Sequence, residues 1–182
     1  MIFPLYCSCL LYTSEPHSVG VVPGFLHTYI LCNTIYSFLF PLLLGWVEIE
    51  QGYISTDPVI RVRRQKTEKE EEYILTIKGG GLVMREEYEL ALGREQYERL
   101  RLKCEGRIIY KRRYRYALPQ GLVAEVDVFE GDRRGLILAE VEFPDEAGML
   151  AFEKPAWFGE DVSRDIRYHN SYMSAERGSG ES

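Results

Sequence analysis

Pairs of like-charged side chains, two residues apart, recur between positions 61 and 142 and are the part of this sequence best suited to chemistry. Arg61 and Arg63 flank Val62, and Lys111 and Arg113 flank Arg112. Lys78 falls on one face with Ile74 and Thr76, and Arg85, Glu87 and Glu89 share another. Glu125 and Asp127 alternate with Ala124, Val126 and Val128, while Glu140 and Glu142 alternate with Ala139, Val141 and Phe143. A spacing of two is the period of a β-strand, whose successive side chains point to opposite faces. Guanidinium and ammonium groups gathered on such a face suit a polyanion, because arginine forks match phosphate edges. Gathered carboxylates suit hard divalent cations, which take oxygen ligands.

Strands joined by short turns favour antiparallel pairing, so an antiparallel sheet is expected. The plain alternative to a binding site is a sheet whose charged face meets water. Two features weigh against it. Basic and acidic pairs are segregated by strand, and almost every strand carries a pair where an ordinary wet face would mix Ser, Thr and Gln. The apolar faces need covering, and two helical segments are available. Arg94 to Cys104 sets Tyr97, Leu100 and Cys104 along one side. Asp145 to Glu153 follows Pro144, a favourable helix start, and offers Ala147, Leu150 and Ala151. Helices outside and charges inside describe an inverted barrel. The KTEKEEE run, Lys66 to Glu72, reads as a solvated hairpin tip, and Gly79-Gly80-Gly81 as a connection lacking any phosphate-loop companion.

The chain has 182 residues and a formal net charge of −6, which suits one domain and argues against coating a nucleic-acid duplex. Of the cysteines Cys7, Cys9, Cys32 and Cys104, none is spaced for a zinc site, and reduced thiols in a cytoplasmic protein are expected. Texture changes near Trp46. Before it, Glu15 is the only acidic or basic residue apart from histidines, and Ile30 to Trp46 is close to the roughly 20 apolar residues of a bilayer span. No Lys or Arg precedes that run, and Pro41 interrupts it. Residues 1–47 are therefore read as an atypical apolar segment, either a membrane anchor through residues 19–47 or the product of a misplaced start. Residues 48–175 form the domain, and 176–182 a frayed tail.

Seven motifs now stand in order. They are RVRR (Arg61 to Arg64), TIKG (Thr76 to Gly79), REEYEL (Arg85 to Leu90), IIYKRRY (Ile108 to Tyr114), VAEVDVFEG (Val123 to Gly131), LAEVEFP (Leu138 to Pro144) and WFGEDVSRDIRYHNSYM (Trp157 to Met173). One alone says little. Together they resemble the CYTH superfamily, the triphosphate tunnel metalloenzymes, and especially its small bacterial members. The resemblance implies a mainly β, α+β fold: an eight-stranded antiparallel tunnel with helices packed outside. It implies a triphosphate-containing small molecule as partner and Mg²⁺ or Mn²⁺ as cofactor. By position, Arg61, Arg63, Lys78, Lys111 and Arg113 resemble the phosphate-gripping residues, with Arg85 as an addition. Asp127, Glu140 and Glu142 resemble the metal-binding carboxylates, and Glu87, Glu89 and Glu125 resemble further tunnel acids that hold a second metal or orient water. The Asp165-Ile166-Arg167-Tyr168 run resembles a terminal segment that either caps a tunnel mouth or packs on the barrel.

The pattern departs from the family at its start. The family's first strand carries ExExK, two carboxylates for metal and a lysine for phosphate. Here Glu48-Ile49-Glu50 has Gly52 at the lysine position, and EIEQGYIST resembles the family's second segment. The first strand is thus expected to be missing or replaced by part of the apolar segment, without its acids. The leading expectation is a metal-dependent inorganic triphosphatase, impaired by that loss. A non-catalytic polyphosphate- or nucleotide-binding module and a class IV adenylate cyclase-like enzyme are the alternatives.

Overall fold

A computed structural model describes residues 19–22, 26–31, 42–78 and 87–175. Arg85, the Gly79–Gly81 connection, Cys7, Cys9, Cys32, much of the apolar run and the tail lie outside them. The strands are β1 (Val19–Val22), β2 (Leu26–Leu31), β3 (Leu43–Thr56), β4 (Val59–Lys66), β5 (Glu71–Lys78), β6 (Glu87–Ala91), β7 (Glu105–Ala117), β8 (Val123–Phe129) and β9 (Ile137–Phe143). Three short helices accompany them: α1 (Arg94–Arg101), α2 (Glu146–Leu150) and α3 (Asn170–Ala175). Among the described residues no helix is long and apolar enough to cross a membrane.

All neighbours in the sheet are antiparallel, in the order β1-β6-β5-β4-β3-β7-β8-β9-β2. Nine strands appear where eight were expected, because residues from the apolar segment supply one strand at each edge. That placement bends the sheet. Laid flat, nine strands would set β1 and β2 roughly 38 Å apart, at about 4.8 Å per step. Yet Val22 and Leu26 are so close in sequence that the chain between them spans at most roughly 14 Å. The sheet must therefore curl into a tunnel, although no ladder joins its two edges. β2 does not end as a bare edge either. Residues 159–163 run beside it, with Gly159 N–H donating to the Leu31 carbonyl at 2.9 Å and Val162 N–H to that of Tyr29 at 2.8 Å. Pairing of this kind satisfies the backbone groups that an open edge would expose.

Alternation sorts the two faces. Outward lie Ile30, Tyr116, Ala124, Val126, Ala139, Val141 and Phe143, buried beneath Phe152, Trp157 and Phe158. The Trp157 and Phe158 rings meet edge-on at 4.3 Å, and Phe143 and Phe152 at 5.2 Å. On the far side α1 lays Tyr97 onto the sheet, its ring 5.0 Å from that of Tyr73. α2 differs from expectation. Ala147, Leu150 and Ala151 are exposed, and Met149 and Phe152 do the packing. The helix is little more than one turn, so Phe152 beyond its end sets the phase. At the hairpin tip, Thr67 Oγ1 accepts from the Lys69 and Glu70 amides at 3.2 and 3.0 Å, which closes the charged turn in solvent.

One end of the inner face is apolar. Tyr53, Ile109, Phe129 and Leu138 bury against Val162 and Met173. α3 is tied there through Ser174 Oγ, which donates to the Arg107 carbonyl at 2.7 Å, and through Arg133, which donates to the Met173 carbonyl at 2.9 Å. So α3 plugs this end. Within the expected Asp165–Tyr168 cap, Tyr168 packs on the cluster, while Ile166 is exposed.

The plug depends on Gly106. It has φ +72°, and a β-carbon there would run into the Ser174 carbonyl. Gly106→Ala is expected to cost roughly 2–4 kcal/mol from the left-handed backbone and the clash together. Urea unfolding measures it, and an unchanged midpoint would show that α3 is not seated as described.

Candidate functional site

The inner face between the plug and the opposite end is polar, and its charged side chains, with Thr76, come from six strands. β4 supplies Arg61 and Arg63, β5 Thr76 and Lys78, and β6 Glu87 and Glu89. β7 supplies Lys111 and Arg113, β8 Glu125 and Asp127, and β9 Glu140. Register places them together. Arg113 is the cross-strand partner of Asp127, Glu125 of Glu140, Thr76 of Arg61 and of Glu89, and Lys78 of Glu87. Glu142 lies farther along β9 from the plug and is exposed.

Arg113 is the centre of the acidic side. Its Nε and one terminal nitrogen grip Asp127 at 2.7 and 2.8 Å, that same nitrogen reaches Glu140 at 3.3 Å, and the other terminal nitrogen donates to Glu125. Burial opposes a charge here, but Asp127, Glu125 and Glu140 outweigh it and hold the guanidinium well above its ordinary range. Lys111, fully enclosed, donates to Asp127 at 2.5 Å and to Asn170 of α3 at 3.2 Å. Burial pushes its ammonium down to about 8, which leaves it protonated at neutral pH beside ionised Asp127. Asp127 would rise on burial, but Arg113 and Lys111 keep it below the usual carboxylate range.

The opposite wall is more basic. Arg61 donates to Thr76 Oγ1 at 2.9 Å and lies 3.8 Å from Glu89, which also accepts from Thr76 at 3.2 Å. Its Nε is buried, with no hydrogen-bond partner among the described residues. Lys78 is paired with Glu87. Arg63 is different: it bonds the Gln51 amide oxygen through Nε and a terminal nitrogen at 3.2 and 3.1 Å, with no carboxylate at ion-pair distance among the described residues. Burial first, and then the charges of Arg61 and Arg113, push Arg63 down to about 9. Five cations face five carboxylates here, and among the described residues Arg63 alone of them has no carboxylate at ion-pair distance, which makes it the readiest contact for a compact anion.

The acids bear on a metal. Glu125 and Glu140 face each other across the ladder, an arrangement that is unfavourable without a cation between them. Hard oxygen donors of this kind fit a divalent ion such as Mg²⁺ or Mn²⁺. Arg113 holds that place here, and among the described residues no three His, Cys, Asp or Glu side chains are gathered into a metal-holding cluster. Tyr29 of β2 adds a phenol. It is paired with Glu140 in register, and the Glu140 charge, burial and a hydrogen bond to that carboxylate raise it well above its ordinary value.

The structure thus brings together Arg61, Arg63, Lys78, Lys111, Arg113, Glu87, Glu89, Glu125, Asp127 and Glu140, with Glu142 at the margin. Sequence reasoning missed Gln51, Tyr53, Tyr29 and Asn170, and gave Thr76 a face without a role. Gln51 and Tyr53 carry the same two-residue period as the charges, which was the available signal. Asn170 and Tyr29 arrive from the chain termini and left none.

No protein-family model matches the chain. It is 42% identical over 131 residues to an inorganic triphosphatase of Nitrosomonas europaea, an alignment covering 70% of this chain and 84% of that protein. It is 41% identical over 128 residues to an inorganic triphosphatase of Acetivibrio thermocellus, covering 68% and 77%. A crystal structure of an inorganic triphosphatase superposes with a TM-score of 0.63 at 36% identity, over 84% of this chain and 95% of that one. With a curled antiparallel sheet, a charged interior and relatives this similar along most of their length, the chain belongs to the CYTH superfamily, in the family of its inorganic triphosphatase relatives.

Proposed function

We propose that the chain hydrolyses inorganic triphosphate, or a closely related triphosphate, inside the tunnel. The observation that carries this reading is the gathering of five cations on one inner face, of which, among the described residues, Arg63 has no carboxylate at ion-pair distance and the Arg61 Nε no hydrogen-bond partner. A triphosphate, with about four negative charges, is the kind of small anion that several such groups can grip at once. The names of the two curated relatives point the same way.

Arg61, Arg63, Lys78, Lys111 and Arg113 bind the phosphate oxygens in this reading, with Arg85 as a further candidate. Water attacks the terminal phosphorus and the bridging P–O bond breaks, so that orthophosphate and diphosphate leave. Glu87, Glu89 and Glu125 take the part of orienting the water and accepting its proton, or of holding a second metal, in this reading. Asp127, Glu140 and Glu142 are the proposed holders of Mg²⁺ or Mn²⁺, which when bound would neutralise charge on the phosphate oxygens. The residues supply mostly position and charge, which is what phosphoryl transfer requires.

A second reading, a module that binds without turnover, is favoured by β2. We propose that β2 stands where the family's ExExK strand belongs. The residues in register with Glu142, Glu140 and Leu138 are His27, Tyr29 and Leu31, which restore neither the two acids nor the lysine.

Phosphate release from tripolyphosphate with Mg²⁺ or Mn²⁺, abolished by EDTA, is the expected result. Binding without release under any divalent cation would replace hydrolysis with the module, and cyclic AMP formed from ATP would mark a cyclase. Arg61→Ala should weaken tripolyphosphate binding roughly ten- to hundredfold, as for one lost hydrogen bond to a charged group. Equal affinity in calorimetry would remove Arg61 from the site. Arg113→Ala leaves three acids, Asp127, Glu125 and Glu140, with Lys111 as the remaining cation on Asp127, and should cost roughly 3–5 kcal/mol of stability in urea. Glu140→Gln should shift the divalent-cation titration to higher concentration, and an unaltered titration would free Glu140 of that role.

A further inference from the structure

We infer that Gln51 is a positioning residue that holds Arg63 uncompensated and aimed at a phosphate oxygen of the bound anion. The inference rests on the triphosphate reading above and deepens it. Gln51 is fully buried on β3, in register with Arg63 of β4. Its amide oxygen accepts from Arg63 Nε at 3.2 Å and from a terminal nitrogen at 3.1 Å, and its amide nitrogen donates to the Tyr53 hydroxyl at 3.2 Å. The guanidinium fixes which way the amide points, because it can only donate, and the Tyr53 hydroxyl accepts from the amide nitrogen. The amide oxygen must face Arg63, so the ring of bonds Tyr53–Gln51–Arg63 has one orientation.

The consequence is chemical. A guanidinium has five N–H bonds in a fixed fork, and Gln51 occupies one edge of it. The remaining N–H bonds stay available for a phosphate edge. The other tunnel cations behave differently: Lys111 and Arg113 hold Asp127, Lys78 holds Glu87, and Arg61 lies near Glu89. An anion must compete with a carboxylate for each of those. At Arg63 it displaces nothing, because a neutral amide orients the group without cancelling its charge. A glutamate at position 51 has nearly the same shape and would cancel it. The choice of amide over acid at a buried position is therefore a choice for anion affinity.

A double-mutant cycle tests this. Binding of imidotriphosphate, which resists hydrolysis, is measured by calorimetry on the full chain, with Mg²⁺ and again with EDTA. Gln51→Glu should raise Kd roughly ten- to hundredfold, the cost of one charge-assisted contact. Arg63→Met should do the same; Gln51→Met, which adds no charge to repel the anion, should raise Kd by a smaller factor alone and no further beside Arg63→Met. Melting temperature separates affinity from folding, because Gln51→Glu gains an ion pair with Arg63 and should keep its transition. Should Gln51→Glu not fold, the Gln51→Met and Arg63→Met pair carries the test by itself. Wild-type-like affinity in the Gln51 variant, or an undiminished loss in the Arg63→Met background, would overturn the inference while leaving the triphosphate reading intact. Failure of the wild type to bind the analogue in either medium would sink both.

Discussion

Arg113 lies among three carboxylates from two neighbouring strands, and the charged interior is organised around that contact. A buried ion pair is poor at stabilising a fold, since both partners give up water. What it does well is fix geometry. Two nitrogens of Arg113 take Asp127, and the group then bridges the acidic pair Glu125 and Glu140, which face each other across the β8–β9 ladder. Asp127, so held, also anchors Lys111. Without the guanidinium, three acids would share one enclosed space with a single ammonium beside them. The cation and the acids keep one another charged, and the tunnel is left polar and ordered.

That arrangement survives because water is kept from one end and the sheet is kept curled. The plug of Val162, Met173 and α3 buries the apolar inner residues and brings Asn170 to Lys111. Residues 159–163 pair with β2 and cover its outer backbone. The terminal segments therefore do more than decorate the barrel: the first puts strands on both edges of the sheet, and the last seals an end. Each contributes a side chain, Tyr29 and Asn170, to groups that the central strands carry.

The walls are unlike in how free their charges are. On the β7–β9 side every cation is bonded to a carboxylate. On the β3–β4 side Arg63 leans on an amide, and Arg61 keeps a buried nitrogen with no hydrogen-bond partner among the described residues. Such asymmetry leaves Arg63 the cation least engaged by acids among the described residues, and concentrates carboxylates on the other wall. The exposed ion pairs, such as Arg112 with Glu48 on the outer face, contribute little to this, since solvent screens them.

Much of this was legible in the residues. Two-residue alternation at Arg61 and Arg63, Lys111 and Arg113, or Glu125 and Asp127 identifies strands and their shared face, because side-chain direction in a strand is a local property. The outer helix with Tyr97 was legible for the same reason, through its longer period. Which charges meet was not, because register between strands distant in sequence depends on the whole sheet. Nothing local tells that Glu125 opposes Glu140, or that Arg63 finds Gln51 and no acid. Short α2 was misjudged in its packing face, since Phe152 outside the helix sets its phase. The residues by themselves determined the kind of chemistry, anion and cation on one strand face. Only tertiary structure decided the pairings, because strand register and the curl of the sheet set the distances between charges, and Coulomb energy follows distance and burial more than residue type.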